Sequence, residues 1–212
     1  MRQRDGAVAR AARLPLALAA LALAACGGGE KELAASRCPT SGSEVTFPLL
    51  DPARTYTVTV RTNLATFAIE LNVKDSPCTT SSFASLVRRK FFDGTRFHRI
   101  VPGFVIQGGD PTGTGTGGPG YTVRDIPKIN TTYSKGVVAM AKSLNAPRGT
   151  AGSQFFVMTA NSTLPPDYAI LGKVASGLDV VERIGRLGHA TNEKPRRKIV
   201  VLRMTIRRSL RA

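Results

Sequence analysis

From residue 55 the chain alternates. Tyr56, Val58 and Val60 are separated by Thr57 and Thr59, the period of a strand with one buried face. After a polar turn at Thr62-Asn63, Ala65, Phe67, Ile69 and Leu71 alternate again, and the two runs predict a hairpin. The period then changes. Between Cys78 and Lys90, Phe83, Leu86 and Val87 stand at i, i+3 and i+4. Thr79, Thr80 and Ser81 are available to cap this helix, and Arg88-Arg89-Lys90 suits its negative end. Short apolar runs at 103–107, 136–141, 154–158 and 169–174 follow, divided by Gly- and Pro-rich loops. Leu178, Val181 and Ile184 share one face of a short second helix within Gly177–Gly185. Val200, Leu202, Met204 and Ile206 alternate with Arg203, Thr205 and Arg207 in a final strand with a basic outer face. Many short strands, strands at both ends of the domain and two distant helices predict a mainly β fold with a closed sheet, since closure removes exposed edges.

The first 25 residues follow a different pattern. Arg2, Arg4, Arg10 and Arg13 precede an apolar stretch from Leu14 to Ala24, too short for a lasting transmembrane helix and read as a signal peptide. It ends in Leu23-Ala24-Ala25-Cys26, followed by three glycines, and resembles the lipobox of bacterial lipoproteins. The resemblance implies a lipidated Cys26 at the mature N-terminus and an extracytoplasmic protein anchored to the bacterial cell membrane. The alternative is ordinary secretory cleavage after Ala25, leaving Cys26 a free thiol. Residues 26–54, with Gly27–Gly29, Glu30-Lys31-Glu32, Ser41-Gly42-Ser43, Pro48 and Pro52, read as a flexible tether. The folded domain is expected over 55–208, with a basic tail at 209–212.

Composition sharpens this reading. The formal charge is +16, and without residues 1–25 it is about +13. A basic balance raises nucleic acid as a partner, which an exported protein seldom meets. Anionic headgroups or wall polymers fit better, as does a solvated basic surface with no specific partner. Cys38 and Cys78 form an even pair in an oxidising compartment, either bridged or left as two thiols. There is no CxxC and no Cys/His cluster, so neither a metal nor any other cofactor is called for.

The chemistry concentrates in FHRIVPGFVIQGGD, residues 97–110, followed by GTGTGG at 113–118. Here Arg99, Gln107 and Phe104 lie within ten residues, with no nucleophile of a hydrolase among them. A fixed cation, an amide and apolar rings can hold an extended peptide without breaking bonds. Arg99 and Gln107 are expected close together, but the bend at Pro102-Gly103 leaves open whether they face one groove.

With GTAGSQFFVMTA (149–160) and YAILGKV (168–174), this run resembles the cyclophilin family of peptidyl-prolyl cis–trans isomerases. The resemblance spans about 55–207. It implies a closed eight-stranded antiparallel β-barrel capped by two α-helices, and a monomer acting on Pro-containing segments of unfolded or exported proteins. It also implies roles. Arg99 is the central catalytic group, assisted by Gln107, which holds substrate backbone, and Phe104, in the floor of the proline pocket. Val105 stands where the family often has Met, and Gly115 lies in the glycine loop. Ala141 and Lys142 match a strand edge that pairs with peptide, although Asn is common at the position of Lys142. Gln154 and Phe156 match a second glutamine and a second pocket wall. Leu164 and Tyr168 replace a frequent Trp and a frequent His. The lost Trp predicts weaker binding of cyclosporin, which many family members bind. His98 reads as structural, and His189 needs no role. A peptide-binding module with little turnover is the second reading, fed by Lys142 and Leu164.

Overall fold

The computed structural model of the chain describes residues 38–210. The leader, Cys26 with the tether up to residue 37, and the last two residues of the basic tail lie outside the described residues. The chain begins with β1 (Ser41–Gly42), β2 (Arg54–Thr62), β3 (Thr66–Leu71) and α1 (Pro77–Arg88). β4 (Arg99–Val101), β5 (Val105–Gly108), β6 (Tyr121–Arg124), β7 (Val137–Met140), β8 (Thr150–Ala151) and β9 (Phe155–Met158) follow. β10 (Ile170–Ser176), α2 (Leu178–Gly185) and β11 (Val201–Leu210) complete the described fold.

Eight strands form one antiparallel sheet in the order β11-β2-β3-β10-β7-β9-β5-β4, and β1, β6 and β8 form a smaller one. The fold is mainly β with two helices, as the alternation predicts. The expected closure is not made by a continuous ladder. β4, at one end of the order, has three residues. The segment just ahead of it is joined to the one just ahead of β11, the strand at the other end, by an isolated bridge from Arg96 to Val200 and by the Phe97 N–H donating to Ile199 O at 3.0 Å.

Alternation divides the strands between two apolar clusters. In β9, Phe155 points into the main core and its neighbour Phe156 into a second, smaller cluster. In β5, Ile106 belongs to the core and Val105 to the second cluster; in β7, Val138 and Met140 face the core and Ala139 the second cluster. Phe155 packs edge-on against Phe83, Phe92 and Phe97, with centroids 5.6, 6.1 and 6.0 Å away, an arrangement favoured by the aromatic quadrupole.

α1 starts with Pro77, whose missing N–H would be unpaired there in any case. It buries Phe83, Ala84, Leu86 and Val87, but also Thr79, Thr80, Ser81 and Ser82. The expected hydroxyl cap is absent. Thr80 and Ser81 donate back to the carbonyls of Ser76 and Pro77, and the Thr79 N–H is capped from afar by Asp125 Oδ2 at 2.6 Å.

The tether expected up to residue 54 is corrected from Cys38 onward. Residues 38–54 are laid onto the domain as a strap. Ser41 and Gly42 pair with Thr122 and Tyr121 of β6, Phe47 and Leu50 are buried in the core, and Leu50 N–H donates to Ser81 Oγ. Cys38 is disulfide-bonded to Cys78 in α1. Phe47 and Leu50, in a segment otherwise rich in polar, Gly and Pro residues, bury enough apolar area to hold the strap where composition alone suggested a free linker.

Candidate active site

The ladder register answers the question that the Pro102-Gly103 bend left open. Pro102 and Gly103, the latter at φ +72°, form the two central residues of a tight turn closed by Phe104 N–H to Val101 O at 3.0 Å. The turn folds β4 back on β5 so that Arg99 stands opposite Gln107. Gln107 in turn pairs with Phe156, and Phe156 with Ala139. Arg99, Gln107, Phe156 and Ala139 thus form one row across four strands, where paired side chains share a face. This row borders the second apolar cluster, which gathers Val105, Phe156, Phe104, Ala141, Leu164 and Tyr168. Positions spread from residue 104 to residue 168 therefore meet in one wall. Val105 is 1% exposed and lies at its base, whereas Phe104, Leu164 and Tyr168 are half-buried at its surface.

A chain of hydrogen bonds runs along the row and beyond it. Arg99 Nη1 donates to Gln107 Oε1 at 3.3 Å, Gln107 Nε2 to Gln154 Oε1 at 3.1 Å, and Gln154 Nε2 to the carbonyls of Gly115 and Gly117, both at 2.9 Å. The direction is forced. A guanidinium only donates, so Gln107 turns its oxygen to Arg99 and its NH₂ to Gln154, and Gln154 repeats the pattern towards the glycine loop.

That loop is organised by Asp110, which is fully buried. Its carboxylate accepts from Thr112 N and Oγ1, Gly115 N and Gly117 N at 2.6–3.2 Å. Burial alone would raise its pKa, but these donors outweigh it and hold the carboxyl far below the usual range. Gly115 sits at φ +95°, a conformation that an L side chain rarely adopts.

At the other end of the row stands a residue to which the sequence reading gave no role. Glu193 Oε2 accepts from Arg99 Nε at 2.6 Å. The Arg99 bond holds the Glu193 carboxyl below its ordinary pKa, against a small opposing effect of burial.

Ala141 and Lys142 stand at the edge expected to pair with peptide. Lys142 Nζ donates to Ala146 O at 3.0 Å within its own loop and lies 5.8 Å from the centre of the Tyr168 ring. The Ala141 N–H is bonded to Gln154 O at 2.9 Å. Tyr168 packs edge-on against Phe156 at 5.4 Å, and its backbone N–H and C=O are both held by the hydroxyl of the fully buried Tyr133. Both ring nitrogens of His98 are shut off from solvent and make no hydrogen bond of good geometry among the described residues, and burial lowers its pKa against the pull of Asp110. Beside Gln107 and Gln154 opens a groove of about 920 Å³, lined also by Gly115, Ala141, Lys142 and Ser41 of the strap.

The sequence and the fold both have relatives. Residues 57–206 match the family model described as cyclophilin type peptidyl-prolyl cis-trans isomerase/CLD. A peptidyl-prolyl cis-trans isomerase of Helicobacter pylori is 36% identical over 151 residues, which cover 64% of this chain and 91% of that protein. One from Arabidopsis thaliana is also 36% identical, over 70% of this chain and 92% of its own. The crystal structure of a cyclophilin type isomerase of Cryptosporidium parvum, determined in the presence of the dipeptide Ala-Pro, superposes with a TM-score of 0.66. It is 31% identical and covers 71% of this chain and 98% of that one.

The chain belongs to the cyclophilin-type peptidyl-prolyl cis-trans isomerases. Its activity is theirs: rotation about the peptide bond that precedes proline.

Proposed function

We propose that Arg99 drives this rotation, on Pro-containing segments of exported proteins, in a monomer held at the outer face of a bacterial membrane by a lipidated Cys26. An X–Pro bond turns over in tens to hundreds of seconds because its C–N bond is partly double. Twisting it returns the lone pair to the prolyl nitrogen. A guanidinium aimed at that nitrogen binds the twisted amide better than either planar form, which is the condition for catalysis. Arg suits the task because it stays charged and its donors have fixed directions. Phe104, Phe156 and Leu164, over Val105, grip the proline ring while the preceding carbonyl swings. Gln107 holds substrate backbone from the other side.

The observation that carries the reading is the cross-strand row, which sets the Arg99 guanidinium beside Gln107 and Phe156 at the edge of an apolar wall. A gain of about 10⁴–10⁵-fold requires about 5–7 kcal/mol of transition-state stabilisation, the scale of one oriented charge plus positioning. For export, support comes from the leader and from the Cys38–Cys78 bridge, a bond typical of oxidising compartments. For a functionally closed barrel, support comes from Arg96, which bridges to both Val200 and Asp110 and so stitches β4 towards β11.

The test is turnover of an Ala-Pro peptide by the full chain and by Arg99→Ala. The variant should lose most activity at a nearly unchanged melting temperature; wild-type turnover in it overturns the assignment.

A further inference from the structure

The Arg99–Glu193 contact is unexplained by stability alone. Both side chains are partly exposed, 34% and 44%, and ion pairs in that setting add little to folding. Yet the fold commits several features to it. Glu193 adopts φ +58°, one of two non-glycine residues at positive φ among those described. Its backbone is held on both sides: the Ile100 N–H donates to Glu193 O at 2.7 Å, and the Glu193 N–H to His189 O at 3.0 Å. The first of these bonds comes from the residue next to Arg99, so the loop carrying the carboxylate is registered on β4 itself. Around it, Gly188 pairs with Pro195, His189 N–H reaches Lys194 O, and Gly188 lies so close to β4 that a Cβ there would meet Ile100 O at 2.3 Å. Glu193 is also the only acid between residues 183 and 212, in a segment otherwise rich in Arg and Lys.

The effect on Arg99 follows from its donors. A guanidinium has five N–H groups in a rigid plane. Glu193 takes Nε–H and Gln107 one N–H of Nη1, at the longer distance of 3.3 Å. Two bonds at different corners fix the plane, which a single long one does not. Among the described residues three N–H groups, one on Nη1 and both on Nη2, have no partner and are left for a substrate.

From this geometry we infer that Glu193 is a positioning residue for isomerisation: it anchors Arg99 through Nε, so that the opposite edge of the guanidinium stays aimed at the proline pocket. It touches no reacting atom and transfers no proton. This inference rests on the role proposed above for Arg99.

A double-mutant cycle in the full chain tests it, with turnover of an Ala-Pro peptide and melting temperature as readouts. Glu193→Ala should lower kcat about tenfold, towards the low end of what a misplaced catalytic group costs, with KM within about twofold. Glu193→Gln, which can still accept from Nε, should recover most of that loss. In the Arg99→Ala background, Glu193→Ala should change the residual rate by less than about twofold, because the group it positions is gone. An equal loss in both backgrounds means that Glu193 only supports the loop, and sinks the inference. So does a raised KM at unchanged kcat, or a faster Glu193→Ala enzyme, which would make the carboxylate a brake. If Arg99→Ala itself stays active, the catalytic role of Arg99 fails first, and Glu193 has nothing to position.

Discussion

Gln107 Nε2 donates to Gln154 Oε1 at 3.1 Å, and this one bond joins the arginine end of the site to the glycine loop. Without Gln154, Gln107 would lose the partner that fixes its amide, and the carbonyls of Gly115 and Gly117 would lose theirs. Gln154→Leu should therefore lower kcat/KM about five- to tenfold, the cost of roughly one such bond, while the melting temperature shifts by only a few degrees. Peptide isomerisation with thermal melts checks both numbers; an unchanged kcat/KM would detach the second glutamine from the site.

Asp110 ties the loop to the sheet, and its depressed pKa is a statement about stability. A carboxyl lowered on folding adds stability that is present above its unfolded pKa of about 4 and is lost as the pH falls towards its folded value. Asp110→Ala should cost about 2–4 kcal/mol at pH 7, since several donors lose a buried charged acceptor together. The gap to wild type should narrow below about pH 4. Denaturant titrations at pH 7 and pH 3 measure it, and a gap that widens in acid contradicts the sign.

No group in the proposed chemistry changes protonation. His98, with its pKa lowered mainly by burial, stays neutral through neutral pH. We expect kcat/KM to be flat from about pH 6 to 8, and His98→Gln to remain within about threefold of wild type. A bell-shaped profile in that window would assign His98 a proton-transfer role. Because the folded pKa is depressed, His98 should cost stability as the pH falls through its unfolded value near 6.5, a loss complete below the folded pKa.

Leu164 packs against the second apolar cluster, at the position where the resemblance to the family implies a frequent tryptophan. Leu164→Trp adds a ring edge with an N–H donor beside Tyr168 and should tighten cyclosporin binding by about tenfold or more. Nanomolar inhibition of the wild type would show that Leu164 does not limit the ligand.

How far the sequence carried these conclusions depends on distance along the chain. β2 and β3 follow from local alternation, and Phe155 and Phe156 go to opposite clusters because strands have period two. Arg99, Gln107, Phe104 and Phe156 were legible as types in a motif, but their shared row depends on registers between strands that no local pattern encodes. The strap from Cys38 was misread as a linker because its hold comes from Phe47, Leu50 and a bridge to residue 78, each a contact with something remote. The misassigned capping hydroxyls of α1 belong to the same class, since Asp125 supplies the cap from 46 residues away. Glu193 left one trace, its isolation as an acid in a basic segment, but only its approach to Arg99 gave that trace a meaning.

The Cys38–Cys78 bridge also decides where mechanical load enters the domain. A pull on the chain ahead of Cys38 passes through the two sulfurs directly into α1, whose Phe83, Leu86 and Val87 are rooted in the core. The two-residue ladder of β1 on β6 is bypassed and bears none of the tension. The groove lining that Ser41 supplies therefore keeps its shape under such a pull, and severing the bridge would make that lining the first part to peel.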